Sequence, residues 1–456
     1  MKRVWTGICA GAVASLMMTA VARAETFTLG QALGIAYETN PQLDAQRAAL
    51  RATDETVAKA NGGWRPSINA QGSYGRQQYE LGNTTLPATS PLQGQVTVSQ
   101  PIFRGGRTWA EIGQAKAVVR AGRAQLTGVE QSVLLAAVTA YMDVVRDQAI
   151  VELRLHNVET LKKQLSATEL QFKVGELTRT DVAQSAARLA GAQSDLVIAQ
   201  GQLAISRANF EKVIGRPVET LANSTDLPKV PGTLDEAIAL ADKQSPLLIA
   251  AEETERAADY SVDDSVGALL PQVSVLGQYG YSKNALNTGF GGGGIGAIQS
   301  TALLAQVTVP LYQGGADEAN VRQAKQLHSE SQLNLADARR QARQVANAAW
   351  ESFQSAQSAI TSNAAQLKAN ELAYEGVRRE QEVGARTILD VLNAEQELLN
   401  SQVAVVTSQR NAQVAAYQLL AATGALTARD LGLKVKLYDP NAYYDENAAR
   451  WFGFGD

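Results

Sequence analysis

Residues 67–74 read SINAQGSY, and every even position is apolar or small while every odd position is polar. Residues 95–99, QVTVS, repeat this alternation. Successive side chains of a β-strand point to opposite faces, so the pattern predicts strands with one apolar and one polar face. Two further segments of this kind predict four strands in all, at about 66–80, 92–103, 271–283 and 302–312.

The polar faces of these strands carry Ser, Thr, Asn and Gln but almost no charge. That division is typical of a membrane barrel with lipid outside and water inside, although a half-buried soluble sheet alternates in the same way. Aromatic residues near the strand ends favour the barrel: Trp64, Phe103 and Tyr312 at one end, Tyr79 and Tyr281 at the other. The residues expected to face lipid are Ile68, Val96, Val98, Val273, Val307 and Val309, and those expected to face the lumen are Asn69, Thr97 and Thr308.

Four strands are too few to close a barrel, which needs about eight even when side chains fill its interior. Open strand edges in lipid would leave backbone groups without hydrogen bonds. Several chains must therefore each contribute four strands, and this reasoning allows a dimer as well as a trimer.

The chain is an internal duplication. Pro66 and Tyr74 recur as Pro271 and Tyr279 at an offset of 205, and from Pro101, which recurs as Pro310, the offset is 209. The four extra residues fall near the glycine-rich stretch 289–294, as expected of a surface loop. We expect this loop (284–300) and the loop 81–91 to lie outside the cell. The predicted units are a first repeat at 25–231, a second at 232–424 and a C-terminal segment at 425–456.

Long helices account for most of each repeat. Proline is absent and good helix formers dominate in the predicted helices at about 106–173, 181–214, 315–382 and 390–423. Prolines stand where helix and strand meet, so sheet and helices are joined end to end. A soluble coiled-coil scaffold in the periplasm, without a pore, would contain similar helices and is the alternative prediction.

The N-terminus predicts export. Lys2 and Arg3 precede an apolar run that ends in Ala22-Arg23-Ala24, so residues 1–24 are typical of a signal peptide. Its removal would take away the single cysteine, Cys9, and three positive charges, moving the formal charge from −4 to −7. This charge gives no support for nucleic-acid binding. We found no later run of 18 apolar residues that predicts a membrane helix.

These features, with QPIFRGG at 100–106 and VGARTILDVLNA at 383–394, resemble the TolC family of outer-membrane efflux proteins over about residues 27–424. The resemblance implies a membrane α+β fold, a trimeric channel-tunnel with four β-strands per chain building a twelve-stranded β-barrel continued by a long α-helical coiled-coil barrel. It also implies the outer membrane, reaching into the periplasm, as location. The implied partners are a periplasmic adaptor (membrane fusion) protein and an inner-membrane ABC or RND transporter. The tail resembles the equatorial segment of members that serve type I secretion, which packs around the middle of the helical barrel.

The resemblance also implies functional positions at the two helix turns, where ordinary turn chemistry would select similar residues. Asp390 matches a constricting acidic position, and Arg386 and Asp181 match members of a network that holds the periplasmic entrance closed. Gly175, Leu177 and Gly384 fall on the turns that dock the adaptor. The chain departs from the family pattern at Asn393, where a second acid is usual, and at Gln381, where an aromatic gate partner is usual. One carboxylate ring would still favour cations.

No catalytic pattern is recognisable, and we expect no enzymatic activity, no cofactor and no metal site. The sequence has no Walker or Gly-x-Ser-x-Gly motif, and His156 and His328 lie inside long helices. An exported enzyme is therefore disfavoured. The sequence predicts passive exit of drugs, toxins or secreted protein, and does not identify the substrate.

Overall fold

A computed structural model describes residues 27–78, 80–85, 88–218, 220–222, 227–283 and 296–454. The predicted signal peptide and residues 284–295 of the glycine-rich loop lie outside the described residues. The extracellular position of that loop therefore stays a prediction.

The first repeat runs from helices to strands and back to helices. Its elements are α1 (Leu29–Thr39), α2 (Pro41–Asn61), a 3-10 turn (Gly62–Trp64), β1 (Ser67–Tyr74), β2 (Glu80–Leu81), β3 (Thr84–Thr85), β4 (Leu92–Arg104), α3 (Arg107–Lys173) and α4 (Arg179–Ile214). The short β2–β3 hairpin occupies part of the segment 81–91 that was expected to be loop.

The second repeat follows the same order without the extra hairpin. Its elements are α5 (Leu234–Gln244), α6 (Pro246–Gly267), β5 (Gln272–Lys283), β6 (Ala297–Thr308), α7 (Ala316–Glu382) and α8 (Ile388–Ala422), followed in the tail by α9 (Ala442–Asn447). Two strands differ from the predicted limits: β1 ends at Tyr74, and β6 begins at Ala297 and ends at Thr308.

The four long strands form one antiparallel sheet in the order β1–β4–β5–β6. The duplication extends to the hairpin register, because Ser67 pairs with Ser99 and their counterparts Gln272 and Thr308 also pair. An antiparallel pair keeps directly opposite side chains on the same face.

This register tests the predicted faces. Ile68 pairs with Val98, and Val273 with Val307, so the predicted lipid-facing residues within the strands share one face. Asn69, Thr97 and Thr308 lie on the opposite face. That face is less uniformly polar than expected, because it also carries the paired Leu276 and Leu304.

The helices pack as two long hairpins, α3 with α4 and α7 with α8. At 67 residues each, α3 and α7 are on the order of 100 Å long. The largest apolar core lies midway along α3, where Phe210 and Tyr141 are fully buried and the Tyr141 hydroxyl donates to the Ala222 carbonyl at 2.6 Å.

One 18-residue window of α3 is apolar enough to cross a membrane by length and composition, which the sequence analysis did not anticipate. Half of that window is buried inside the protein. Core helices share this property, so the window is weak evidence for a membrane helix.

Each strand-to-helix junction uses two glycines in the left-handed region. Gly105 and Gly106 have φ of 64° and 86°, and their counterparts Gly314 and Gly315 have φ of 66° and 81°. A Cβ on Gly105 would clash with the Gly267 carbonyl oxygen, whereas a Cβ on Gly314 would meet nothing within 4 Å. The junction of the first repeat is packed by the second repeat, and the junction of the second is open.

Candidate functional site at the helix turns

The two helix turns have the same backbone conformation. Gly175 and Gly384 adopt φ of 86° and 76° just after α3 and α7. The next residue then bonds back across the helix end: Glu176 N–H donates to the Gln171 carbonyl at 3.0 Å, and Ala385 N–H donates to the Glu380 carbonyl at 2.8 Å. This pattern ends a helix sharply and needs a residue that tolerates positive φ.

A capping box begins each following helix. The Thr387 hydroxyl and backbone N–H donate to Asp390 Oδ2 at 2.7 and 3.0 Å, and the Asp390 N–H donates to the Thr387 hydroxyl at 3.3 Å. Thr178 and Asp181 make the same three bonds. These bonds favour the ionised carboxylates and hold the pKa of Asp390 and of Asp181 below the usual range. The caps also explain why α4 and α8 begin earlier than expected.

Arg386 bonds within its own turn. Its Nε donates to Glu380 Oε2 at 2.9 Å, and both side chains are about half exposed. This bond, with smaller contributions from the charges of Glu380 and Asp390, raises the pKa of the guanidinium above its usual value. Within one chain Arg386 is therefore paired with Glu380, and Asp181 with Thr178.

The two hairpins touch beside the turns. Arg188 on α4 donates to Asn393 Oδ1 on α8 at 2.8 Å. Leu392, the residue before Asn393, belongs to one apolar cluster with Leu161 and Ala192 of the first hairpin. Asn393 thus links the two hairpins of this chain.

A carboxylate is buried two residues further along α8. Glu395 is 8% exposed and stands in the buried apolar stripe of Ile388, Leu392 and Leu399 on α8. Desolvation raises the pKa of Glu395 to about 7. Its charge in turn contributes, after burial, to the raised pKa of Tyr374 on α7.

The structure brings some of the predicted residues together and separates others. Gly175 and Gly384 are exposed at the ends of their hairpins, and Leu177 and Gln381 are half buried beside them. The sequence analysis missed Arg188, Glu380 and Glu395. Glu395 was recognisable, because it falls on the apolar stripe of its helix.

The two histidines have different surroundings. His328 Nε2 lies 2.8 Å from Glu255 Oε1 and links α7 to α6, whereas His156 is exposed. Among the described residues, no group of three or more His, Cys, Asp or Glu side chains is arranged to hold a metal ion.

A four-stranded sheet joined end to end to long helices, of which α3 and α7 are each about 100 Å long, is the arrangement expected of a channel-forming protein of the bacterial outer membrane. Residues 32–216 and 237–425 match the family described as "Outer membrane efflux protein". The chain belongs to this family. It is therefore an outer-membrane protein that extends into the periplasm, as the sequence predicted.

Relatives and solved structures agree with this assignment. The chain is 33% identical to "Outer membrane efflux protein BepC" of Brucella suis biovar 1 over 93% of this chain and 91% of that protein. It is 25% identical to "Outer membrane protein TolC" of Vibrio cholerae serotype O1 over 88% of this chain and 92% of that protein. The fold matches a structure of CusC with a TM-score of 0.78 at 18% identity, covering 88% and 93%. The structure of the outer membrane protein VceC of Vibrio cholerae matches with a TM-score of 0.75 at 19% sequence identity, over 87% of this chain and 96% of that chain.

Proposed function

We propose that this protein is a passive exit duct through which drugs, toxins or secreted proteins cross the outer membrane. The observation that carries the proposal is the end-to-end arrangement of the sheet and the helical hairpins, which fits a barrel in the membrane and a tunnel below it. An inner-membrane ABC or RND transporter and a periplasmic adaptor deliver the substrate. Two relatives are described as secretion proteins for proteases and one as a pyoverdine export protein. The relatives therefore include exporters of proteins and of a small molecule, and the proposal covers both classes of substrate.

The proposed duct is a homotrimer with a twelve-stranded barrel. Within one chain, β1 and β6 each have an unpaired edge among the described residues. β4 continues to Arg104 where β5 covers it, whereas β6 stops at Thr308, short of the equivalent position Gln313. A missing neighbour along β6 accounts for this difference, and β1 of the next protomer supplies it.

The duplication predicts the register of that contact. Val98 on β4 lies opposite Gly277 on β5, and a Cβ on Gly277 would lie 4.0 Å from the Val98 Cβ. The counterparts of these residues in the other repeat are Val307 and Gly72, so Val307 pairs with Gly72 of the next protomer. By the same equivalence, the open Gly314 meets Gly62 of the next protomer, as Gly105 meets Gly267.

The proposed entrance is the ring of helix turns. Asp390 lines its constriction and favours cations, while Arg386, with Glu380 and Asp181, restrains the closed state. Because Asn393 bonds to Arg188 and is neutral, the filter carries one carboxylate per chain at this level. The adaptor docks on Gly175, Leu177 and Gly384 at the helix turns.

Planar-bilayer recording tests the proposal. The purified protein should run as a heat-modifiable oligomer from the outer-membrane fraction and should form long-lived, cation-preferring channels. A periplasmic scaffold without a pore would instead be extracted without detergent and would give no conductance steps, and that result would overturn the proposal.

A further inference from the structure

The C-terminal segment runs along α2 toward the sheet. The Tyr443 hydroxyl donates to Glu55 Oε1 at 2.8 Å, and further on Asn61 Nδ2 donates to the Ala448 carbonyl at 2.8 Å. Since Glu55 and Asn61 follow each other toward the C-terminal end of α2, the segment leaves the core of the helical region and reaches the level at which β1 begins.

Arg65, two residues before β1, fixes the end of this segment. Its Nη1 donates to the Arg450 carbonyl at 2.6 Å and its Nη2 to the Ala449 carbonyl at 3.2 Å. The guanidinium also lies 4.9 Å from the ring centroid of Trp451. Three contacts to consecutive residues hold Trp451 beside the first residue of the sheet.

Beyond this point the chain presents aromatic rings to its surroundings. Trp451 is 59% exposed, Phe452 is 84% exposed and Phe454 is fully exposed. These three aromatic residues, which we call the aromatic tail, lie within four positions of one another. Exposed apolar surface of this density is uncommon on a soluble face and marks a site of interaction.

The same end of the sheet carries another aromatic group. Trp64 packs edge-on against Trp109 with ring centroids 4.5 Å apart, and Phe103 lies 6.4 Å from Trp109. Trp64 directly precedes Arg65, which contacts Trp451. The aromatic tail and this aromatic group therefore lie at the same end of the sheet, on either side of Arg65 in the contacts that they make.

We propose that the aromatic tail is a membrane-interface anchor that inserts into the periplasmic leaflet of the outer membrane. Aromatic rings, Trp above all, partition to the boundary between headgroups and acyl chains. The position of the tail beside the start of β1 places it at this boundary if the sheet crosses the membrane. Arg450, exposed next to the rings, lies at the height of the lipid phosphates.

Site-specific fluorescence tests the anchor. Phe452→Cys is labelled with the environment-sensitive dye NBD in the full-length protein and placed in phosphatidylethanolamine–phosphatidylglycerol nanodiscs. Two exposed positions serve as references: Leu303→Cys on the predicted lipid face of β6, 78% exposed in one chain, and Val383→Cys at a helix turn, 80% exposed. The parent protein, labelled in parallel, reports any signal from Cys9.

We expect NBD at position 452 to emit at blue-shifted wavelengths and to lose about half its intensity with doxyl-labelled lipid, as for position 303. Position 383 should show neither effect. Water-like emission at 452 would overturn the proposal, and so would a blue shift without quenching, which would assign the tail to a neighbouring protein surface. Phe454→Cys, at a fully exposed position, provides the same readout if Phe452→Cys assembles poorly.

Discussion

The two helix turns have the same backbone conformation but differ in the charged side chains that they carry. Both have a glycine at positive φ and a Thr–Asp capping box. The second turn adds the Arg386–Glu380 pair and the buried Glu395, where the first repeat has Leu177, Gln171 and Ala186.

This difference separates the residues that build the turn from the charges that the turn does not need in order to form. The shared glycine and cap are sufficient to end one helix and start the next, since the first turn forms without the additional charges. The charges of the second turn are therefore available for another role. We expect variants of the shared residues to affect the stability of both turns equally, and variants of the Arg386–Glu380 pair or of Glu395 to affect only the second turn.

The largest difference in stability should come from Glu395→Gln. Below pH 4.5 the carboxyl is protonated in both the folded and the unfolded state, so its ionisation does not lower the free energy of unfolding. Between pH 4.5 and about 7 the unfolded state ionises first, so the free energy of unfolding falls as the pH rises. The amide removes this loss and should stabilise the second hairpin at pH 8 by about 3 kcal/mol.

Hydrogen exchange of the peptide covering 388–399, measured at pH 5 and pH 8, checks this prediction after correction for the intrinsic exchange rates. The exposed neighbour Glu397→Gln is the matched control and should leave the pH dependence unchanged. If Glu395→Gln protects the hairpin equally at both pH values, the buried carboxylate is not the cause.

The shared caps should give equal effects. Thr178→Ala and Thr387→Ala each remove the hydroxyl of a capping box and should each destabilise their own hairpin by about 1 kcal/mol. Local hydrogen exchange in α4 and α8 measures both. A clear loss at one turn only would mean that the turns are not equivalent scaffolds.

Arg386→Ser should have little effect on stability, because exposed pairs contribute little, but a measurable effect on closure. We expect assembled oligomers with raised single-channel conductance in planar bilayers. Leu177→Ser, at the equivalent position of the first turn, is the control and should conduct like the parent. If Arg386→Ser conducts like the parent protein, Arg386 does not hold the entrance closed, and opening would have to depend on the adaptor.

Asp390→Asn should have the smallest effect on structure, because the amide oxygen retains an acceptor for Thr387. Loss of the carboxylate ring should lower cation preference and block by multivalent cations. Reversal potentials in a salt gradient measure the preference. Asp181→Asn is the control. An equal loss of cation preference in both variants would contradict the proposal that Asp390 in particular lines the constriction.

The sequence predicted features that depend on local pattern. Alternation identified all four long strands and the residues that share a face, because the side-chain period of a strand is visible in one segment. Proline and glycine marked the junctions, where backbone φ decides which residue fits. The family resemblance was confirmed by both repeats.

Features that depend on packing between distant segments were not predictable in this way. The Arg188–Asn393 bond joins positions 205 residues apart, and nothing near either residue indicates its partner. Leu276 and Leu304 interrupt the polar face as a pair, and this pairing is visible only when the register of β5 and β6 is known. The roles of Asp390, Arg386, Asp181, Gln381 and the docking turns stay predictions, as does the division of the chain at 231.

Disulfide cross-linking tests most directly whether copies of this chain close a barrel. Gly72→Cys and Val307→Cys in one chain should form a bond between protomers, since the equivalent Gly277 and Val98 place their Cβ atoms 4.0 Å apart, within the disulfide range. Gly277→Cys with Val98→Cys should form the same bond inside one chain, and the slipped pair Ser73→Cys with Val307→Cys should form none. On non-reducing gels we expect covalent species that stop at three chains. Efficient cross-linking of the slipped pair, or a series that stops at two chains or runs past three, would contradict the trimeric barrel.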